Sequence, residues 1–421
     1  RDPGERLEIA RLNLTAGQKA KMSTAYRVAL TFLSVGRKCL PENSWKSAYD
    51  LTFSLFTEAA EAAYLSADYE KMEQLAHTAL EHARTFSDEE RICDILTNAY
   101  GAQNRLGKAI KTGLIFLDRL GVRFPEKPTH ADVEMAMQKL RVSLTGRSVR
   151  SLADLPVMTD SDMLSAMRVL VNITLFAYFA SPTLMLLTVP KQVELSLAYG
   201  NCSESYVAYG FYGFILCGAG GDTEAGYQFG QLALDLLRRS DEKERKATKI
   251  ILIYNCFIRI WKEHVNAALP PLLANYQTGL DVGDLLYAGY SVHVYILYSF
   301  FAGRPLVTLE EEAAQYGHAV SRRTKVSFIV ISIVRQAVLI LMGCSDNPCR
   351  MVGEAYDENL RLPVHQQEND ESAIFTLHIH KLILHTLFQE YPSAVRDAEI
   401  AELYVHAKTG SLFVPVFHFY D

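Results

Sequence analysis

The stretch AAYLSADYEKMEQLAHTALEHA, residues 62–83, reads as the tail of one helix, a tight turn around Ser66-Ala67-Asp68, and a second helix. After the turn, Met72, Leu75, Ala76, Ala79, Leu80 and Ala83 recur at the three-and-four spacing that lines one face of a 3.6-residue helix. Before it, Leu55, Phe56, Ala59, Ala60 and Ala63 do the same. None of these residues is placed to do chemistry. A lone hairpin cannot bury both apolar stripes, so it needs neighbours.

The pattern recurs along the chain. A break at Asn104-Arg105 precedes Ala109, Ile110, Gly113, Leu117 and Leu120; another at Gly220-Gly221-Asp222 precedes Gly226, Gly230, Ala233, Leu234 and Leu237. A third, at Gln389-Glu390-Tyr391, precedes Ala394, Val395, Ala398 and Ala401. In three copies a slim residue is followed seven places later by alanine, as Met72 to Ala79, Gly226 to Ala233 and Ala394 to Ala401, which lets helices cross closely. This resembles the tetratricopeptide repeat, a helix pair of about 34 residues. The spacing from Met72 to Ala109 is longer, and the ideal repeat's tryptophan-leucine-glycine opening is absent.

The expected fold is therefore an all-α, TPR-like solenoid of roughly ten to twelve antiparallel hairpins. Its expected divisions are hairpins over 1–121, a joint with a helix over 122–160 marked by Pro125 and Pro128, and central hairpins over 161–340. A polar loop with one short helix follows over 341–370, then a hairpin over 371–421 that is cut short. Thr159 or Asp160 should cap a helix whose stripe is Met163, Ala166, Met167, Leu170 and Val171. The mixed-sign run RRSDEKERKATK, 238–249, reads as a solvated turn and the first turn of a helix.

Apolar content of 49% and charged content of 21% place the chain among ordered proteins, and a net charge of -6 with no basic block argues against nucleic acid as partner. Seven cysteines, scattered and odd in number, suit reduced thiols in the cytoplasm rather than a disulfide framework. The chain begins without methionine or an apolar leader and stops inside the aromatic run SLFVPVFHFYD, so both ends are expected to be cuts in a longer polypeptide. Three uncharged stretches, 169–190, 205–221 and 285–303, require a membrane test. Ser181-Pro182 interrupts the first, glycines break the second and polar residues dot the third, so all are expected to be buried helices and no transmembrane segment is expected.

Chemistry-bearing motifs are sparse. AGQKAKMST lacks the glycine framework of a phosphate loop, and GAGGDTEAG lacks the preceding strand of a dinucleotide site and reads as a turn. Cys344 and Cys349 approach zinc-ligand spacing, but only His365 stands near them. His378, His380 and His385 share one helix without an i, i+4 pair, and read as core or surface histidines. In RIWKEH, Trp261 reads as a packing anchor, while Lys262, Glu263 and His264 diverge by 100° per residue on a helix and cannot converge on one substrate. The expected catalytic, cofactor and metal residues are none. Twenty-two tyrosines favour recognition over catalysis.

The phrases GYQFGQLAL (226–234), WKEH (261–264), LPPLLANYQTGLDVGD (269–284), NPCRMVGEAYDE (347–358) and VPVFHFYD (414–421) resemble, together with AEAAYLSADYEKMEQLA and LGVRFPEKPT, a family of very large signalling proteins. The resemblance is to the helical-repeat middle region of proteins well known in cyanobacteria, with relatives in fungi and other bacteria. These carry a serine/threonine-kinase-like domain and an AAA- or STAND-type predicted ATPase before the repeats, and a GAF sensor and histidine kinase after them. The resemblance implies a non-catalytic scaffold and sensing region of a two-component system. Its partners would be the flanking ATPase and GAF/kinase modules, with a protein segment or small ligand held in a concave groove. No active-site residue is carried over, because the family's catalytic motifs lie outside this region. The alternative is the small-molecule-binding superhelix of a STAND transcription activator of the maltose-regulator type.

Overall fold

The computed structural model describes residues 3–103, 105–218, 220–240, 244–321 and 324–421. The break expected at Asn104, the centre of the 238–249 charge run and Ala219 of the glycine-rich turn lie outside the described residues. The described chain is all-α, with two isolated β-bridges and no strand.

The helices are α1 (Pro3–Met22), α2 (Tyr26–Cys39), α3 (Ser44–Ser47), α4 (Tyr49–Leu65), α5 (Tyr69–Glu81), α6 (Phe86–Ala102), α7 (Leu106–Arg119) and α8 (His130–Leu144). After a 3₁₀ turn over Val149–Asp154 come α9 (Ser161–Ala180), α10 (Pro182–Tyr199), α11 (Ser203–Gly218), α12 (Thr223–Arg239) and α13 (Glu244–Ile253). The remainder are α14 (Leu269–Asp281), α15 (Leu285–Phe301), α16 (Leu306–Val320), α17 (Lys325–Leu341), α18 (Glu358–Glu368), α19 (Glu371–Leu387), α20 (Tyr391–Tyr404) and α21 (Phe413–Tyr420).

Two compact units divide the chain: residues 1–145 with 156–204, and residues 146–155 with 205–421. In the first unit α1 packs on α2, α4 on α5, α6 on α7 and α9 on α10, while α2, α4, α6 and α9 also touch in succession. In the second, α13, α15, α17 and α19 form one such row, with α14, α16 and α20 packed on its flank. Pairs therefore stack in chain order, the arrangement of an α-solenoid. Residues 121–129, 145–160 and 342–357 are mostly connections between helices.

One local grammar builds four of the turns. A residue in the left-handed region ends a helix and an aspartate opens the next: Ala67 (φ 63°) then Asp68, Gly221 (65°) then Asp222, Gly283 (72°) then Asp284, Asn369 (53°) then Asp370. Each aspartate side chain accepts a backbone N–H of the new first turn, as from Lys71 at 3.3 Å and Ala225 at 3.0 Å. Its own N–H reaches back to the old helix, as Asp68 to Ala63 at 2.9 Å and Asp370 to His365 at 2.8 Å. Both sets of orphan backbone groups are thus satisfied in two residues.

The row helices α4, α9, α15, α17 and α19 bury more of their surface than flanking helices such as α5 and α20, which are covered on one narrow stripe. Met72, Ala76 and Ala79 are buried as expected, but Leu80 is 38% exposed, because α5 packs mainly on α4 and α6 and its stripe is narrower than its periodicity. Val395 is likewise 58% exposed, since α20 leans on little besides α19. The expected seven-residue pairs are all interior: Met72 with Ala79, Gly226 with Ala233, Ala394 with Ala401. At the α11–α12 crossing a Cβ on Gly213 would sit 2.6 Å from the Gly226 carbonyl, so the backbones meet without side chains between them. The 169–190 stretch is two helices, ended at Ala180 and restarted by Pro182. Among the described residues only α9 is long and apolar enough to cross a membrane, and half of its most apolar window is buried in protein.

Candidate functional site

The densest group of ionisable side chains lies between α18, α19 and α20. On α19, His378, Lys381 and His385 are three and four residues apart and so share one face. All three converge on Asp397 of α20. His378 Nδ1 is 2.7 Å from Asp397 Oδ1, His385 Nδ1 is 2.6 Å from Oδ2, and Lys381 Nζ is 3.7 Å from Oδ1. Lys381 also pairs with Glu358 of α18 at 2.8 Å, whose other oxygen accepts the Met351 N–H at 3.1 Å. His385 Nε2 donates to the Cys349 carbonyl at 3.0 Å.

Asp397 is 4% exposed. Burial pushes its carboxyl up, but the His378 hydrogen bond and the charges of Lys381, His378 and His385 outweigh that and hold it below the ordinary value of 3.8. Lys381, His385 and Asp397 each meet at least two partners, and Cys349 borders the cluster through its carbonyl. This arrangement ties α19 to α18 and α20.

The sequence analysis weighs His378, His380 and His385 as core or surface histidines and does not bring in Lys381, so the face shared by His378, Lys381 and His385 is not read from it. The available signal was Asp397 itself, a carboxylate standing inside the alanine stripe Ala394, Ala398 and Ala401. His380 faces elsewhere, its Nδ1 donating to the Thr376 carbonyl at 2.7 Å. Cys344 is exposed, Cys349 half-buried, and His365 instead meets the Tyr356 hydroxyl at 3.1 Å and lies 3.9 Å from Asp370. No group of three His, Cys, Asp or Glu among the described residues is arranged to hold a metal ion.

RIWKEH is not continuous α-helix. After α13 the chain widens into a π-turn over Tyr254–Ile258 and then a 3₁₀ turn over Arg259–Trp261. Gly230 of α12 makes room, since a Cβ there would lie 2.8 Å from the Tyr254 ring and 3.0 Å from Ile258. The following residues part as expected. Lys262 pairs with Glu224 at 2.6 Å, and His264 caps a short 3₁₀ turn over Val265–Ala268. Glu263 collects the hydroxyls of Tyr227 at 2.8 Å and Tyr254 at 3.2 Å, with Arg259 at 3.2 Å on its other oxygen. Trp261 is half-buried, with an enclosed indole N–H that finds no acceptor. Tyr100, Tyr209, Tyr212, Tyr254 and Tyr298 are fully buried, so their rings are core.

In the first unit a cleft of about 460 Å³ opens between α4 and α6, bordered by Tyr49, Asp50, Asp88, Glu90, Arg91 and Asp94. Three of its acids are already committed: Asp88 takes the Tyr49 hydroxyl at 2.8 Å, Glu90 takes Arg168 at 2.8 Å and Asp94 takes Asn172 at 2.6 Å.

With this geometry in place, the comparisons with known proteins bear on function. No family model matches the chain. The hybrid signal transduction histidine kinase G of Dictyostelium discoideum is 22% identical over 371 residues, covering 82% of this chain but 11% of that protein. The chain thus spans about one ninth of the length of this similar protein. A solved circular tandem repeat protein with novel repeat topology is 14% identical and covers 96% of this chain and 94% of its own, with a TM-score of 0.17 that carries no argument.

Proposed function

We propose that this chain is a non-catalytic, TPR-like region of a multidomain signal-transduction histidine kinase. In that reading it stands between an ATPase module of AAA or STAND type and a GAF/histidine-kinase module. It grips a protein segment or small ligand along its helix rows and couples the flanking modules. The observation that carries the reading is the alignment of 82% of this chain with a small part of a hybrid histidine kinase. One feature agrees with it: helix pairs stacked in chain order, which transmit displacement between neighbours. The absence of a disulfide among the described cysteines fits a reducing cytoplasm.

The test is made in the full-length polypeptide that carries this chain. Removing the region should leave histidine autophosphorylation intact while abolishing its dependence on the upstream signal. A signal response that survives the deletion unchanged would overturn the reading.

A further inference from the structure

After α20 the chain does not simply leave the second unit. It turns through a 3₁₀ segment, Val405–Lys408, and Gly410 (φ 76°) into α21, and packs back on the row helices. Gly410 abuts the Phe214 ring so closely that no side chain fits between them. Phe413 packs edge-on against Phe301 of α15 at 5.8 Å and Phe375 of α19 at 5.7 Å.

Two polar groups brought together there are left over. Lys408 makes no ion pair or hydrogen bond among the described residues, and its ammonium sits 5.2 Å from the Phe413 ring. His380 is fully buried, and its Nε2 has no partner. Because the Thr376 carbonyl can only accept, the proton is on His380 Nδ1, and Nε2 is a lone pair awaiting a donor. The imidazole lies 6.2 Å from Phe413, 5.4 Å from Phe300 and 6.2 Å from Phe301. A cation lacking an acceptor and an acceptor lacking a donor thus flank the same aromatic ring. Lys408, Phe300 and Phe301 are each only partly buried, so this edge of the cluster reaches the surface.

We infer that Lys408, His380 and the phenylalanines around Phe413 form a binding site for a small planar organic acid. Its anionic oxygens would meet Lys408 and a hydroxyl or N–H on the same molecule would meet His380 Nε2. His380 Nε2 is a buried acceptor without a donor, so a ligand that supplies one makes a hydrogen bond the fold leaves unmade, while Lys408 adds the charge. The state of the groups agrees: burial holds His380 down at about 4, hence neutral at physiological pH, and pulls Lys408 down to about 8. An anion at Lys408 would raise that value, so binding near pH 8 must take up protons.

The inference rests on the sensing reading for its meaning only, because binding is measured on this chain alone. The probes are the three hydroxybenzoate isomers, benzoate, phenol and inorganic phosphate, titrated by calorimetry at pH 7 and 8 in two buffers of different ionisation enthalpy. At least one hydroxybenzoate should bind at least tenfold tighter than both benzoate and phenol, with proton uptake at pH 8. Lys408→Met should abolish the advantage over phenol and the proton uptake, and Lys408→Arg should retain the advantage over phenol. His380→Phe should abolish the advantage over benzoate. Absence of binding by every probe at about 10 mM, equal binding of the three classes, or an affinity unchanged in Lys408→Met would each overturn the site. None of those results would alter the outcome of the deletion experiment.

Discussion

His378 Nδ1 stands 2.7 Å from Asp397 Oδ1 across the α19–α20 hairpin, with both side chains almost wholly out of water. The contact joins a polar face of a row helix to a carboxylate set among alanines, where a flanking helix has no other strong attachment. Replacing one member of a buried charged group strands the others, at about 3–5 kcal/mol. Asp397→Asn should therefore lower the unfolding free energy by that amount in urea titration. Asp397 titrates below its unfolded value of 3.8. Its stabilisation is thus complete above about pH 4 and lost as pH falls through the lowered folded value. The gap between wild type and variant should close only on that acid side.

Lys408 has the opposite sign. Its folded value, about 8, lies below the ordinary 10.5, so between these values the unfolded chain binds more protons and stability rises with pH. At pH 7 the enclosed ammonium destabilises the fold. Lys408→Met keeps the stem and drops the charge, and should stabilise by about 1–2 kcal/mol at pH 7. The advantage should fade by about pH 10.5; urea unfolding at the two pH values checks it.

Backbone approach and backbone conformation predict opposite effects at two small residues. Gly226→Ala drives a methyl against the Gly213 carbonyl, 2.7 Å from the ideal Cβ, and should cost about 1–3 kcal/mol. Ala67→Gly relieves a Cβ held at φ 63° and should stabilise by about 0.5–1 kcal/mol. Thermal unfolding of the two variants, side by side, should move in opposite directions.

Thiol reactivity should follow exposure. Cys344 is exposed, whereas burial pushes the Cys93, Cys217 and Cys256 thiols up to about 12. An aromatic disulfide reagent at pH 7.5 should modify Cys344 first, with Cys39 and Cys349 slower. These three, with the buried Cys202, should react only after denaturant is added.

The sequence by itself determined the helices, the hairpin turns and the seven-residue small pairs, because those depend on contacts within a few residues. Ala67-Asp68 and Gly221-Asp222 encode a stop and a start in adjacent positions, and Ser181-Pro182 divides a 22-residue apolar run by local sterics alone. Which stripe residues are covered was decided by tertiary structure. Leu80 and Val395 have the periodicity of core and stand in solvent, because a flanking helix meets fewer neighbours than a row helix. The polar clusters were decided in the same way. Asp397 lies 19 residues from His378, while Lys408 and His380 meet only because α21 doubles back onto α15 and α19. Charge pairing acts over a few ångströms of space, and separation along the chain does not reveal which side chains will share them.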